Sequence, residues 1–285
     1  MSLGYPPGML SAVRIWKIDL ESRGEFTLPA FPGPLLRQVT GNMLYRQIGD
    51  QAAEAIFRSP DGFRPFRFDT PLGRERVLHR RSQWSVRFVT LESETEQVLV
   101  DALLGAMEAG LGEQRVPQEV VACSLLKHGG ADALRGGAAP DLDSRVDELV
   151  GLPAVTLRCA SPTELKRKPV LPDGSVDRKG KAELIRFPTT LDVLRGAHLR
   201  AGSLGYGPLP RFDEEPVDEM PGDRRVWTVH RESTAQERAY DLIGVVGAIA
   251  LRPTPLQCWW LALAEILGVG SDTAQGKGVV RVLGV

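Results

Sequence analysis

The chain has 285 residues, of which 42 % are hydrophobic and 25 % are charged, and its formal net charge is −1 at pH 7. These values are typical of a globular protein, so they exclude a mainly disordered chain, a collagen-like rod and a long coiled coil. The length suits two domains better than one.

The first half of the chain predicts six elements in the order strand, helix, strand, strand, helix, strand. Apolar residues that alternate with polar ones predict the strands, and apolar residues at helical spacing predict the helices. The predicted elements cover residues 11–22, 34–47, 62–68, 84–91, 95–109 and 116–126. This order is that of the β-α-β-β-α-β unit, which is called ferredoxin-like.

A stretch rich in glycine and alanine, residues 129–140, predicts a loop, and after it the same order recurs. The second set of predicted elements covers residues 153–158, 190–200, 225–230, 241–251, 255–267 and 279–283. We therefore predict an α+β fold of two tandem ferredoxin-like domains, residues 1–128 and 153–285, joined by a linker at residues 129–152. Two unrelated α+β domains are the alternative.

The basic residues are mostly arginine, with 28 arginines and 7 lysines. Residues 58–87 carry a local charge of +5 and residues 158–211 one of +6, whereas acids concentrate in residues 92–119 and 213–223. Arginine binds phosphates through its forked guanidinium and stacks on bases, so this segregation is compatible with a face that binds a polyanion. Arginine-favouring codon usage with mixed solvated faces is the alternative.

Common catalytic and cofactor motifs are absent from the sequence: there is no G-x-S-x-G, H-E-x-x-H, Walker or G-x-G-x-x-G motif. The four histidines have no metal-ligand spacing, and the three cysteines have no C-x-x-C pairing. The start of the chain lacks the pattern of a secretory signal, and the apolar runs are shorter than the ~20 residues of a membrane span. We therefore expect a cytoplasmic protein without a cofactor, a metal or a membrane segment.

The C-terminal third resembles a known family. Residues 241–251, 261–270 and 273–283 are similar to the C-terminal half of the CRISPR precursor-RNA processing endoribonucleases, which belong to the RAMP superfamily. Shorter matches in the same order are residues 28–37, 109–115 and 159–165, and a looser one is the R-x-S…R stretch at Arg231, Ser233 and Arg238. The chain departs from the family pattern at Ser271, where the family has lysine, and in helix 34–47, which has no histidine.

The resemblance implies a function. It implies an endoribonuclease that binds the repeat hairpin of precursor crRNA and cleaves it without metal, through attack of a 2′-OH on the adjacent phosphate. The mature crRNA is then retained, and other Cas effector subunits are expected as partners. The alternative is a non-catalytic RAMP subunit that only binds guide RNA in an effector complex.

The candidates for catalysis are three arginines, with a histidine as the alternative. Arg37 matches the family's arginine at the start of the first helix, Arg23 follows the first strand, and Arg238 belongs to the R-x-S…R stretch. An arginine-dependent site of this kind resembles that of the variant in type IV CRISPR systems. Arginine stays charged and therefore serves as an electrostatic clamp rather than a base. A histidine mechanism through His198 or His230 is the alternative, because histidine transfers protons near neutral pH.

Candidate RNA contacts lie in the arginine-rich insertion, residues 58–87, and in the glycine-rich turn, residues 268–278. Glycines allow close backbone approach and leave amide donors for phosphate, although such a turn is often only structural. The candidates are Arg46, Arg64, Arg67, Arg74, Arg76, His79, Arg80, Arg81, Arg231, Gly268, Gly270, Gly276, Lys277 and Gly278.

Overall fold

The computed structural model describes residues 10–57, 64–126, 141–168, 177, 179, 181–206, 209–210, 217–220, 222–233 and 238–285. For residues 230–233 and 238–240 it describes the backbone only.

The N-terminal domain is a four-stranded antiparallel sheet in the order β3-β5-β1-β6. This is the strand order of a ferredoxin-like unit, with a short β2-β4 pair added beside it. The elements are β1 (Arg14–Ser22), β2 (Phe26–Leu28), α1 (Gly33–Ile48), α2 (Asp50–Phe57), β3 (Phe66–Asp69), β4 (Arg76–Leu78), β5 (Gln83–Thr90), α3 (Ser93–Ala109) and β6 (Gln118–Leu126).

The C-terminal domain repeats the arrangement with the strand order β13-β7-β12-β11. Helix α4 lies within the range predicted as a linker. The elements are α4 (Leu142–Val150), β7 (Val155–Thr163), β8 (Lys166–Arg167), β9 (Glu183–Leu184), α5 (Thr190–Ser203), β10 (Asp218–Glu219), β11 (Arg225–Ser233), β12 (Arg238–Arg252), α6 (Pro255–Leu267), a 3-10 turn (Thr273–Gln275) and β13 (Val280–Gly284). The predicted α+β fold of two ferredoxin-like units is confirmed.

Local sequence explains where the two helices of this domain begin. Thr189 and Asp192 form a capping box at the start of α5, and Thr254 and Gln257 form one at the start of α6. Each box satisfies two backbone amides that the first helical turn leaves without partners. Helix α6 begins and ends at the residues predicted from the sequence.

The core of the C-terminal domain continues into the N-terminal domain. Ile15 and Val89 pair across β1 and β5, are 0 % exposed, and belong to the same buried cluster as Trp259 and Trp260 of α6. These strand residues lie on the face of the N-terminal sheet that does not pack against α1 and α3. The two domains therefore share one continuous apolar core, which fixes their relative orientation.

Candidate active site at the domain junction

The start of α1 and the end of β3 contact the glycine-rich turn of the C-terminal domain. A Cβ atom on Gly33 would lie 2.0 Å from the carbonyl oxygen of Gln275, and one on Gly276 would lie 2.1 Å from Thr70 Oγ1. Both positions therefore need glycine for this close approach. We call this place, where the two domains meet, the domain junction.

Two of the predicted arginines lie together at the domain junction. Arg37 is in the second turn of α1, with its guanidinium carbon 5.3 Å from the centroid of the Phe57 ring. Arg64, just before β3, has its pKa lowered by partial burial and by the charge of Arg37, while the charge of Asp272 opposes the shift. Arg37, Arg64 and Asp272 thus combine two positive charges and one carboxylate beside the turn.

Arg67 is buried among the protein's own contacts, which its prediction as a surface contact for RNA did not anticipate. Its side chain is 0 % exposed; Nε donates a 3.0 Å hydrogen bond to the Ile266 carbonyl and Nη2 a 2.8 Å bond to the Glu265 carbonyl. These are carbonyls at the C-terminus of α6, where the helix dipole favours a cation. Burial lowers the pKa of Arg67 to about 10, so it stays charged at neutral pH.

Lys277 is also buried, which the prediction that it contacts RNA did not anticipate. It is 2 % exposed, forms an ion pair with Glu164, and has its Nζ 3.5 Å from Asp272 Oδ2. Although burial raises it, hydrogen bonds from Lys166 and Lys277 leave the pKa of the Glu164 carboxyl below its usual value. Lys277 therefore fixes the turn to the end of β7 rather than offering a charge to RNA.

The four glycines of the turn serve its own packing, which corrects the interpretation that they make room for RNA. Gly268, Gly270, Gly276 and Gly278 all have positive φ. A Cβ on Gly278 would lie 1.8 Å from the Val269 carbonyl oxygen, and one on Gly270 would lie 2.4 Å from that of Glu164. The amides of Gly268, Gly276 and Gly278 donate to the carbonyls of Ala264, Thr273 and Pro162.

Arg23, by contrast, lies far from the domain junction. It follows β1, contacts Glu119 as an ion pair, and lies 3.8 Å from Glu21. Lys17 of the same strand pairs with Arg87, which in turn pairs with Asp69 near the junction. Six further strand residues at about 3.3 Å each place Arg23 roughly 20 Å away.

Several predicted RNA contacts lie at this distant end or on the surface of the N-terminal domain. Arg81 has its amide bonded to the Ser22 carbonyl at 2.7 Å, next to Arg23. His79, Arg80 and Arg81 are exposed, and His79 Nδ1 lies 3.3 Å from Glu25 Oε2. Arg74 and Arg76 line a cavity of about 390 Å³, and Arg46 lines a groove of about 490 Å³ between α1 and the end of α3. Their RNA contacts stay predictions.

Arg238 and Arg231 belong to the hairpin of β11 and β12. Arg238 pairs with Ser233 and Arg231 with Tyr240. The register of β12 with β7 ends at Val245, so both arginines lie on the part of the hairpin beyond β7. Their side chains and that of His230 lie outside the described residues.

His198 lies in the helical layer of the C-terminal domain. Its ring packs edge-on against Trp260 of α6 at a centroid distance of 5.2 Å. Of the catalytic candidates whose side chains the structure describes, Arg37 is the one that lies beside the glycine-rich turn.

The sequence did not single out Arg200 and Asp272, which complete the charged surroundings of the domain junction. Burial and then the charge of Arg67 lower the pKa of Arg200 to about 10. Asp272 has a φ of +57° and a side chain that is 48 % exposed. The available signal for Arg200 was Gly196, one turn earlier on α5, where a small residue marks a close approach of the helix to another segment.

Within the described ranges, His, Cys, Asp and Glu side chains do not form any group of three or more that could hold a metal ion. None of the helices that the structure describes has the length and apolarity that a membrane crossing requires.

Known structures with a similar fold include Cas6 and RAMP proteins. A Cas6 product complex superimposes with a TM-score of 0.62 at 18 % identity, covering 96 % of this chain and 100 % of that one. A second Cas6 product complex superimposes with a TM-score of 0.56 at 23 % identity, covering 95 % of this chain and 99 % of that one. A RAMP protein that binds different RNA substrates superimposes with a TM-score of 0.55 at 12 % identity, covering 95 % of this chain and 99 % of that one.

The chain thus has the two-domain fold of the RAMP proteins. It matches two Cas6 structures over nearly their whole length, which confirms the predicted resemblance at the level of the fold. No protein-family model matches the chain, and the search of curated proteins found no match.

Proposed function

We propose that the protein binds the repeat of a precursor crRNA, cleaves it and retains the mature crRNA. The observation that carries the proposal is the full-length match to two Cas6 product complexes. The cluster of Arg37 and Arg64 at the domain junction supports it, because guanidinium groups bind phosphate oxygens in pairs. Other Cas subunits are the further partners that the resemblance implies.

The proposed reaction needs no metal. The 2′-oxygen attacks the adjacent phosphorus, the bond from phosphorus to the 5′-oxygen breaks, and the products are a 2′,3′-cyclic phosphate and a 5′-OH. The proton of the 2′-OH passes to solvent, and the leaving oxygen takes one from solvent. Arg37 and Arg64 stabilise the charge that builds up on the phosphorane, and the Asp272 carboxylate favours the charged form of Arg64.

The basic end of the N-terminal sheet has a separate proposed role. Arg80 and Arg81 are exposed beside Arg23, roughly 20 Å from the domain junction by the strand spacing. We assign these arginines to the backbone of the repeat stem, since A-form RNA is recognised mainly through its shape and its backbone. Arg23 then contributes to binding and not to the chemical step.

A non-catalytic RNA-binding subunit is the second candidate. Position alone favours Arg37 over Arg23 as the catalytic arginine at the domain junction. Helix α1 also carries no histidine that could act as a proton acceptor. A subunit of this kind would use the same basic surfaces to hold guide RNA.

Incubation of the purified protein with end-labelled repeat RNA in EDTA tests both candidates. Cleavage that leaves a 2′,3′-cyclic phosphate and a 5′-OH supports the endoribonuclease. Tight binding with intact RNA supports the non-catalytic subunit. A protein that neither binds nor cleaves the repeat contradicts both.

A further inference from the structure

A group of arginines lies where α5 meets the N-terminal domain. Gly196 of α5 packs against Leu165, which follows β7, and Val269, which follows α6: a Cβ atom there would lie 2.9 Å from Leu165 Cδ2 and 3.4 Å from Val269 Cβ. Arg200 follows Gly196 by four residues and is therefore on the same side of the helix. It thus lies on the side of α5 that faces the domain junction.

Arg67 approaches the same place from the N-terminal domain. Its Cδ lies 3.2 Å from the position that a Cβ on Gly268 would occupy. Two of its nitrogens bind the end of α6, but Nη1 is buried and donates no hydrogen bond to any residue that the structure describes. A buried donor without an acceptor costs free energy, which indicates that an acceptor belongs there.

The charges of this group repel one another. After burial, the charge of Arg67 is the next cause that lowers the pKa of Arg200 to about 10, and Arg64 adds to the same shift. Both Arg67 and Arg200 remain protonated at pH 7, since a pKa of about 10 is well above neutrality. The carboxylate that most offsets Arg67 is that of Asp69, which is already bound by Arg281 through both oxygens.

We propose that Arg64, Arg67 and Arg200 form a binding site for one phosphate group, and that a backbone phosphate of the bound RNA occupies it. This inference rests on the proposed RNA-binding function. Arg64 and Arg200 are half-buried, so a phosphate can reach them from solvent, while Arg67 lies beneath. A phosphate oxygen supplies the acceptor that Arg67 Nη1 needs, and the negative charge of the phosphate offsets the mutual repulsion of the three guanidinium groups.

Thermal unfolding of the full chain tests the anion site without RNA. Inorganic phosphate is compared with sodium chloride at equal ionic strength. We expect phosphate to raise the unfolding midpoint of the wild type by at least about 2 °C, because a ligand that binds only the folded state stabilises it. Arg200→Gln is expected to lose this response while keeping a midpoint in chloride no lower than that of the wild type, since it removes a repelled cation. Arg64→Gln, at a half-buried position, is the second variant that is tested for loss of the response to phosphate.

RNA binding tests the occupant. The dissociation constant of a repeat RNA is measured over a range of salt concentrations for Arg200→Gln, Arg64→Gln and the control Arg186→Gln, whose side chain is exposed just before α5. We expect the first two to bind about tenfold more weakly and the salt slope to become shallower by roughly 0.7–0.9, the value for one phosphate contact. The control is expected to match the wild type.

Two results overturn the proposal. One is a wild type whose midpoint does not respond to phosphate. The other is a wild type that binds RNA tightly while Arg200→Gln and Arg64→Gln bind it with the same affinity and slope, even if phosphate stabilises the protein. If the wild type binds no RNA, the proposed function itself is wrong, and RNA is then also excluded as the ligand of the phosphate site.

Discussion

Replacing Asp69 with asparagine tests whether a buried ion pair holds the two domains together. Arg281 of β13 and Asp69 of β3 have side chains that are 10 % and 0 % exposed, and Arg281 Nη2 lies 2.5 Å from Asp69 Oδ1. Asp69→Asn leaves the Arg281 cation buried without its carboxylate. Breaking a buried pair in this way costs about 3–5 kcal/mol, whereas replacing both partners by apolar residues can be neutral.

The assay is thermal unfolding at pH 7 with a matched surface pair as control. At about 2–4 °C per kcal/mol, Asp69→Asn is expected to lower the midpoint by on the order of 10 °C. Asp218→Asn breaks another aspartate–arginine pair, to Arg252 at 3.2 Å, in which both side chains are 64 % exposed. It is expected to cost about 0–1 kcal/mol. Equal shifts for the two variants would refute the reasoning.

The pH dependence gives the same variant a second readout. Burial alone would raise the pKa of Asp69. The charges of Arg281, Arg67 and Arg87 and the hydrogen bond from Arg281 together outweigh burial, so the pKa lies below its usual value. A carboxylate with a lowered pKa stabilises the fold fully above the unfolded-state pKa of about 3.9 and loses this effect as pH falls through the folded-state value. The difference in unfolding midpoint between the wild type and Asp69→Asn is therefore expected to persist at pH 5–7 and to shrink below pH 4.

Three further predictions follow from burial and charge. Gly278→Val is expected to destabilise the whole fold and not RNA binding alone, because a Cβ atom there meets a backbone carbonyl; a circular-dichroism melt with an unchanged midpoint would contradict this. The double variant Arg80→Ala, Arg81→Ala is expected to weaken repeat binding and flatten its salt slope, and an unchanged slope would remove these residues from the RNA surface. Burial raises the pKa of all three cysteines, to about 11 for Cys159 and Cys258, but only Cys123 is exposed, so one thiol is expected to react quickly with Ellman's reagent in the folded protein; rapid reaction of all three would be inconsistent with the fold.

The sequence predicts the ferredoxin-like units well because their signals are local. Alternation defines β1 and β5, and the threonine that begins a capping box defines the start of α6. Helix α4 was missed because the glycine- and alanine-rich residues 129–140 directly before it favour a linker. Helix α2 was missed because its eight residues lie between the end of α1 and the arginine-rich segment.

The candidate site was harder to predict because burial depends on residues that are distant in the chain. Arg67 and Arg64 look alike in sequence, yet Arg67 binds carbonyls 198 and 199 residues away and Arg64 does not share that burial. The glycines of residues 268–278 were recognised, but their nearest neighbours are protein atoms of Val269, Glu164 and Thr70. Local spacing cannot distinguish a glycine that makes room for the protein's own backbone from one that makes room for a ligand.

The catalytic candidates show the same limit. Arg23 and Arg37 are only fourteen residues apart in sequence. They are separated in space because β1 runs away from the domain junction while α1 begins beside it. The direction of β1 relative to the domain junction decides which of the two arginines can reach a bound phosphate there. Local sequence does not reveal this direction, because it depends on the tertiary fold.

The measurement that tests the central claim most directly is the single-turnover rate of repeat cleavage in EDTA, at saturating protein, for Arg37→Ala. We expect the rate to fall by a factor on the order of 10²–10³, the usual cost of removing one donor to a developing oxyanion. The control Arg252→Ala, at an exposed position on β12, is expected to cleave at the wild-type rate. If His198→Ala is inactive while Arg37→Ala keeps the wild-type rate, the arginine site at the domain junction is wrong.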